Sequence, residues 1–476
     1  MCDTQDNIIT AGKYVIVSKL NFKKVYKATV GGSLMLGKDL VDMSEIIGKP
    51  FWTTFEMIPA KNGKRTFFLK ETIKTESLND LLCTLPSGND NRTITDDGTS
   101  QKLSKEEILQ LQESGRSSKE IVGSLIENNK SFLNRTEYSQ EKYLKKKEKK
   151  YVRYLTIRKP DITSLHDVYF KLDHSKIGNL RMDTLAQLLS YSDVQSEGLY
   201  ILYDSGCQGL PAAAMLSRIG ENTQGHLINL HPGNVHQATL IHSMNFPVEQ
   251  LDRLINVNIY SFLRLHYQGE STLLNNISKK IHNNWKNKTK EKENKDSEKI
   301  LVVKEEVKEE KINTESCLEK FNVSSEIMEN HKIKEEQGTD SNITVSKRKL
   351  DESEHESTEV TAAKKPKWFL KTQHAIQLVQ DSKARGLVII AREHPLNIIL
   401  ALLPFLGASR PFVIYHVHRE PLQETYITLR QKQNVINLRL FSNFLRSYQI
   451  LPDRTHPDIL TSDTGGYLLT GYLVEQ

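Results

Sequence analysis

Residues 199–216 read LYILYDSGCQGLPAAAML. Leu199–Tyr203 is a continuous apolar and aromatic run, which suits a strand covered on both faces of a sheet. Asp204-Ser205-Gly206 breaks the run. The alanine-rich stretch around Pro211 then reads as helix, because proline is tolerated in a first helical turn. A buried strand, a glycine turn and a helix make the opening of a strand–helix–strand unit. In such units the helix N-terminus presents unpaired N–H groups at the end of the sheet, where phosphates and cofactors bind.

The same alternation extends on both sides. Upstream, RYLTIRKP (153–160) reads as a strand, followed by the helical segments TSLHDVYFKL (163–172) and RMDTLAQLLSY (181–191). Downstream, GHLINLH (225–231) is a strand, VHQATLIHSM (235–244) a helix, and LDRLINVNIYSFLRLH (251–266) continues the ordered region. WFLKTQHAIQLVQ, GLVIIARE, PLNIILALLPFL, PFVIYHV and PLQETYITLRQK repeat helix and strand between 368 and 432. NVINLRLFSNFLRSYQIL and GGYLLTGYLVEQ close the chain as antiparallel strands. Strands separated by helices predict a mostly parallel, doubly wound sheet with right-handed crossovers.

Two other compositions flank and interrupt this pattern. Residues 10–85 carry short β-branched and aromatic runs, YVIVSKL, KKVYKATV, PFWTTFEMI and RTFFLKET, punctuated by glycines. They predict a small sheet or barrel. LPSGNDNRTITDDGTS (85–100) is a turn-rich connector. Ser104…Glu107 and Ser117…Glu120 are capping boxes that open two helices, and a third helix covers 139–150. The interruption spans 284–366, where Phe321 is the one aromatic between Trp285 and Trp368. Such a segment buries too little apolar surface to offset its ordering entropy and is expected to be disordered. The expected organisation is therefore a β-domain (1–90), a helical basic linker (91–150), an α/β domain in two parts (151–283 and 367–476), and the insertion between them.

Composition sets further bounds. The chain of 476 residues is 38% hydrophobic and 26% charged, with a net charge of +6. No apolar run approaches the ~20 residues of a membrane span, and the N-terminus has no signal-type apolar core, so no membrane partner is expected and an intracellular protein is. Cys2, Cys83, Cys207 and Cys317 form no Cys-x-x-Cys pair, which points to free thiols in a reducing compartment.

The loop after the decisive strand departs from a working cofactor loop. It runs Asp204, Ser205, Gly206, Cys207, Gln208, Gly209. A ligand cradle of the usual kind has glycine where Gln208 stands, so that backbone can approach the ligand. The Gln208 side chain is expected to fill that space. The next strand ends on His231, where an acid would hold a ribose. The plainer reading is a structural loop; a nucleotide or S-adenosylmethionine site remains the alternative.

The segments YDSGCQGL, NLHPGN, SQEKYLKKKEKK, DNRTITDDGTSQKLSKEEI and YQILPDRTHP together resemble the non-catalytic subunits of the tRNA adenine-58 N1-methyltransferase. The resemblance covers most of the chain outside 284–366. It implies a small N-terminal β-barrel-like domain followed by a Rossmann-like methyltransferase fold. It also implies a heterotetramer of two such chains with two catalytic subunits of related fold. The active sister subunit carries a glycine-rich S-adenosylmethionine loop and an Asp-x-Pro motif. Here Arg392-Glu393-His394-Pro395 stands near the latter, without the motif. Glu393 is expected to be a surface carboxylate paired with Arg392. With glycine loop, ribose acid and catalytic acid all altered, the resemblance implies a non-catalytic subunit that binds no cofactor. S-adenosylmethionine is then expected in the catalytic partner, and tRNA as the shared substrate.

A subunit without catalysis contributes surface. Lys142, Lys145, Lys146, Lys147, Lys149 and Lys150 form the densest positive stretch, interleaved with Tyr138, Tyr143 and Tyr151. On a helix Lys142, Lys146, Lys149 and Lys150 fall largely to one side, a row able to track a phosphate backbone. Arg153 and Arg158 extend it in sequence. Lys61, Lys64 and Arg65 form a weaker patch at a hairpin tip. Lys347-Arg348-Lys349 with Lys364-Lys365-Pro366-Lys367 resembles a bipartite nuclear-import signal, giving the nucleus as the expected location. Lys304, Lys308 and Lys334 sit in an apolar-Lys-x-Glu pattern like that of lysines joined to ubiquitin-like modifiers, a pattern that charge-rich composition also generates. His226, His231, His236 and His242 lack the acid or cysteine frame of a zinc site, so no metal is expected. The competing classes are an autonomous S-adenosylmethionine-dependent RNA methyltransferase with an atypical loop, and an RNA-binding factor with no enzymatic partner.

Overall fold

The computed structural model describes residues 7–60, 65–73, 86, 88, 90–92, 94, 100–114, 116–271, 366–451, 454–457 and 465–474. The expected disordered insertion, with its import and modifier motifs, therefore lies outside the described residues except for Pro366 and Lys367, as do Lys61 and Lys64.

The N-terminal strands are β1 (Tyr14–Lys19), β2 (Phe22–Lys27), β3 (Ser33–Leu36), β4 (Asp39–Asp42), β5 (Thr54–Pro59) and β6 (Thr66–Glu71). They bury one face each around Val15, Val17, Val41, Phe55, Met57 and Leu69. A seventh strand, β7 (Tyr154–Arg158), completes this sheet in the order β2-β1-β7-β5-β6-β4-β3. That corrects the sequence reading, which gave 153–160 to the α/β domain. The physical reason is the period: Leu155 and Ile157 are buried while their neighbours are half-exposed. Such alternation fits a sheet with one covered face. β7 pairs antiparallel with β1 and β5.

Between β6 and β7 lie α1 (Lys105–Glu113), α2 (Ser118–Glu127) and α3 (Glu137–Tyr151). Both capping boxes form: Ser104 with Glu107, and Ser117 with Glu120. Ile121, Val122, Leu125, Phe132 and Leu144 make a separate small core.

The α/β part contains α4 (Ile162–Asp173), α5 (Met182–Tyr191), β8 (Leu199–Asp204), α6 (Leu210–Ile219), β9 (His226–His231), α7 (Thr239–Ser243), α8 (Val248–Asp252), β10 (Leu254–Asn258) and α9 (residues 259–271). After the insertion come α10 (Lys367–Asp381), β11 (Gly386–Ile390), α11 (Pro395–Leu402), β12 (Arg410–His416), α12 (Glu420–Gln431) and β13 (Val435–Phe441). A two-stranded hairpin, β14 (Tyr448–Leu451) with β15 (Arg454–Pro457), precedes the last strand, β16 (Tyr467–Leu473). The sheet order is β10-β9-β8-β11-β12-β16-β13. β10 through β12 run parallel, and β16 enters antiparallel between β12 and β13. This is a Rossmann-like, doubly wound sheet of methyltransferase type. Every residue of β8 and β11 is buried. The strand order reverses between β8 and β11, and the decisive loop emerges there, at the switch point where ligands bind in such sheets.

The β-domain is fixed to the α/β part by named contacts. Asn245 closes on β1 twice: its Oδ1 accepts from the Tyr14 N–H, and its amide donates to the Tyr14 carbonyl, both at 2.8 Å. Lys23 pairs with Asp167 of α4 at 3.0 Å. Among the described residues no helix is long and apolar enough to cross a membrane.

Candidate functional site: a self-sealed loop and a basic helix

Asp204 ends β8 with its carboxylate turned under the loop. One oxygen, Oδ1, accepts from the N–H groups of both Gly206 and Cys207 at 2.9 Å. Burial pushes its pKa up, against those two hydrogen bonds. The Gln208 N–H donates to Gln237 Oε1 at 2.9 Å, and the Ser205 N–H to the Ile390 carbonyl at 3.2 Å. The N–H groups of four successive residues, 205 to 208, are thus satisfied from within the protein. In an anion- or cofactor-binding loop those donors face the ligand.

The space over the loop is filled as well. Gly206 has a φ of +146°, and a Cβ there would lie 3.2 Å from Arg392 Cζ. Arg392 Nη2 donates to the Gly206 carbonyl at 2.7 Å and to the Ser175 carbonyl at 2.9 Å. Its own N–H donates to Ser205 Oγ. The sequence reading gave this occluding part to Gln208. The structure corrects it: Gln208 has a left-handed φ of +56°, which turns its side chain toward the next crossover. There Gln208 Nε2 donates to Gln237 Oε1 and its Oε1 accepts from Thr239 Oγ1 at 2.9 Å. Gly209, at φ +78°, packs against the start of α7, and a Cβ there would lie 2.8 Å from the Gln237 carbonyl.

The expected Arg392–Glu393 pair is also replaced. Arg392 serves the loop, and Glu393 accepts from the Tyr203 hydroxyl at 3.4 Å. Burial, then the Glu393 charge, pushes the Tyr203 phenol far up. His394 instead meets Glu424 at 3.0 Å. His231 ends β9 buried, with its ring 5.9 Å from that of His236. Burial, then the neighbouring His236, holds its pKa below the usual histidine range. The residues present therefore do not fit S-adenosylmethionine: the loop donors are consumed, a guanidinium covers Gly206, and a histidine replaces the ribose acid. Among the described residues no three His, Cys, Asp or Glu side chains gather as metal ligands.

The lysine-rich segment forms α3, anchored by buried Gln140, Leu144 and Tyr151. Gln140 donates to the Phe132 and Pro86 carbonyls at 3.0 Å. Lys142, Lys145, Lys146 and Lys149 line one open cleft of about 290 Å³ with Tyr138 and Glu141. Their spacing of three, one and three residues holds them to one helical face. Lys145 is ion-paired with Glu141 at 2.7 Å. Lys147 lies over the rings of Tyr143 and Tyr151 at 5.0 and 5.9 Å, and Lys150 over Tyr151 at 5.1 Å. The row thus gains Lys145 and loses Lys150 relative to the sequence reading. Arg153 stacks 5.5 Å over Phe67 of the β-domain and Arg158 4.6 Å over Trp52, so neither joins the lysine cleft. Arg65 is exposed at a left-handed φ of +68°.

Residues 8–311 match the family model described as the Gcd10p family. The chain belongs to the Gcd10p family. It is 31% identical to the mouse protein named as the non-catalytic subunit TRM6 of tRNA (adenine(58)-N(1))-methyltransferase, over 98% of this chain and 89% of that one. It is 30% identical to the Dictyostelium discoideum protein of the same name, over 98% and 80%. A solved S-adenosylmethionine-dependent O-methyltransferase from Thermotoga maritima is similar at 9% identity with a TM-score of 0.44, covering 100% of this chain and 98% of that chain. In this Gcd10p-family chain the Arg392 clamp escaped the sequence reading because its partners lie far off in sequence. The one local signal was that Arg392-Glu393-His394-Pro395 stands near the expected motif without its Asp-x-Pro.

Proposed function

We infer that this chain is the non-catalytic subunit of a tRNA adenine-58 N1-methyltransferase, and that it holds tRNA while a partner of related fold supplies the methyl donor. The observation that carries the reading is the self-satisfied loop at 205–208, with Arg392 seated over Gly206. A Rossmann-like sheet whose ligand loop needs no ligand keeps the architecture and abandons the chemistry. The names of the relatives support the same assignment.

The lysine face of α3 supports the grip on RNA. Folded tRNA is bound through shape and backbone, and unstacking the target base costs a few kcal/mol that such a grip helps to supply. The C-terminal segment supports a partner interface: Phe444, Ile450 and Ile436 are exposed at 86%, 80% and 52%. A two-plus-two assembly follows the resemblance, and nuclear location follows the basic clusters at 347–349 and 364–367.

Methyl transfer to tRNA should be measured with this chain alone, with the partner alone, and with the mixture. Activity is expected only in the mixture. Turnover by this chain alone would overturn the assignment and favour an autonomous enzyme.

A further inference from the structure

A cavity lies away from the β8 loop. It opens at the C-terminal ends of β9 and β10, between the first turns of α9 and α10, with a volume of about 650 Å³. That size suits a small organic ligand. None of its lining residues comes from the loop at 204–209 or from Arg392 and Glu393.

Its chemistry is one-sided. Among the described residues, the charged side chains that line it are Arg264, Lys367 and Lys371, with no carboxylate. Trp368 and Tyr260 stand at its wall, 44% and 60% exposed. Asn256 also lines it, and its Oδ1 accepts from the Asn229 amide at 2.8 Å. His231, 8% exposed, also lines the cavity.

We propose that this cavity binds a single phosphorylated nucleoside, with the base against Trp368 and the phosphate held by Arg264 and Lys371. Three features select that class. Clustered cations without an acid favour a phosphate. Exposed aromatic faces favour an unstacked base. Amide and imidazole groups favour a base edge or ribose hydroxyl. In a cofactor-binding sheet of this type an acid ends the second strand and would repel a phosphate. His231, set among the three cations, reverses that preference. The ligand has two sources with the same chemistry: an unstacked nucleotide of bound RNA, or a free mononucleotide. The RNA source rests on the proposed function above; the pocket chemistry does not.

The test uses the full chain assembled with its catalytic partner. AMP, inorganic phosphate and tRNA are titrated into the wild type, Trp368→Ala and Arg264→Ala/Lys371→Ala, with melting curves confirming that each variant is folded. A Lys142→Gln/Lys146→Gln/Lys149→Gln variant serves as the second arm. AMP should bind saturably and at least ~5-fold more tightly than phosphate, and either pocket variant should weaken it by at least ~5-fold. The lysine variant should leave AMP binding unchanged. A parallel loss of tRNA affinity in the pocket variants assigns the site to an RNA nucleotide. Unchanged tRNA affinity with AMP binding lost assigns it to a free mononucleotide, which also supports the pocket. If the wild type itself fails to bind tRNA, the RNA reading fails while the AMP titration still decides the pocket. AMP binding no tighter than phosphate, or indifferent to both pocket variants, overturns the proposal.

Discussion

Replacing Lys142, Lys146 and Lys149 together by Gln is the sharpest test of the RNA grip. The three share one exposed face of α3, while Lys145 is engaged with Glu141 and Lys147 rests on two tyrosine rings. Each phosphate neutralised by a lysine contributes about 0.7–0.9 to the slope of log K against log salt. Loss of three contacts should flatten that slope by about 2 to 3. Counterion release extrapolated from 1 M to 0.15 M salt makes each contact worth about 0.6–0.7 log units, so affinity should fall by roughly 100-fold. A contact made through water contributes less, which makes that figure an upper bound. The assay is fluorescence anisotropy of labelled tRNA with the assembled complex, repeated between about 0.05 and 0.4 M KCl. Lys147→Gln is the control, and it should leave the slope near that of the wild type. Superimposable salt slopes for the triple variant and the wild type would refute the assignment of RNA to this face, whatever the affinity at one salt concentration.

Gly209→Ala places a Cβ 2.8 Å from the Gln237 carbonyl at a φ of +78°; left-handed backbone alone costs about 1–2 kcal/mol, so with the clash a drop of about 3 kcal/mol is expected in urea unfolding. A change below about 0.5 kcal/mol would mean that α7 does not pack as described. Asp204→Asn tests the buried carboxylate. Its pKa is raised in the fold, so its stability contribution is complete below the unfolded value of about 4 and is lost as pH rises through the folded value. Asn lacks that dependence, and the melting temperature of the variant relative to wild type should therefore climb between pH 4 and pH 7; a constant difference would count against a raised pKa. Arg392→Ala removes the guanidinium over Gly206 but leaves the 205–208 donors occupied and His231 in place. Added S-adenosylmethionine should give this variant no thermal shift, whereas a ligand at 100 times its Kd stabilises by about 2.7 kcal/mol. A clear shift would show that Arg392 alone had closed the site.

The sequence disclosed the centre of the fold because burial there is continuous. Leu199–Tyr203 and GLVII carry no charged residue, and β8 and β11 are buried at every residue. It misplaced β7 because neighbours in sequence pulled 153–160 toward the helices that follow. The alternation of YLTIR, buried at Leu155 and Ile157, was the local sign of a sheet with one wet face. The insertion of β16 between β12 and β13 was not legible, since strand order is set by contacts distant along the chain. The loop's poor fit to a cofactor was legible, and its cause was not. Gln208 drew attention as the wrong residue in a glycine position, yet its φ of +56° carries the side chain away. The residue over the glycine, Arg392, lies 186 positions later. The cavity at the ends of β9 and β10 was invisible for the same reason, since Arg264 and Lys371 meet across the insertion.

A cofactor loop is ordinarily completed by its ligand: the donors at its tip are paired only when the site is full, and the bare loop is correspondingly adaptable. In this chain Asp204, Gln237 and the Ile390 carbonyl accept those hydrogen bonds permanently. Arg392 ties the loop carbonyl to Ser175 in the turn after α4, and Lys23 ties α4 to the β-domain. The β-domain reaches α3 through β7, which follows that helix after Val152 and Arg153. A contiguous set of contacts thus runs from the old ligand loop to the lysine face. The physical effect of closing the loop is to hold the surfaces of a subunit in fixed register without any small molecule bound. Closing the loop and fixing the link from α4 to the β-domain are in this sense one structural change.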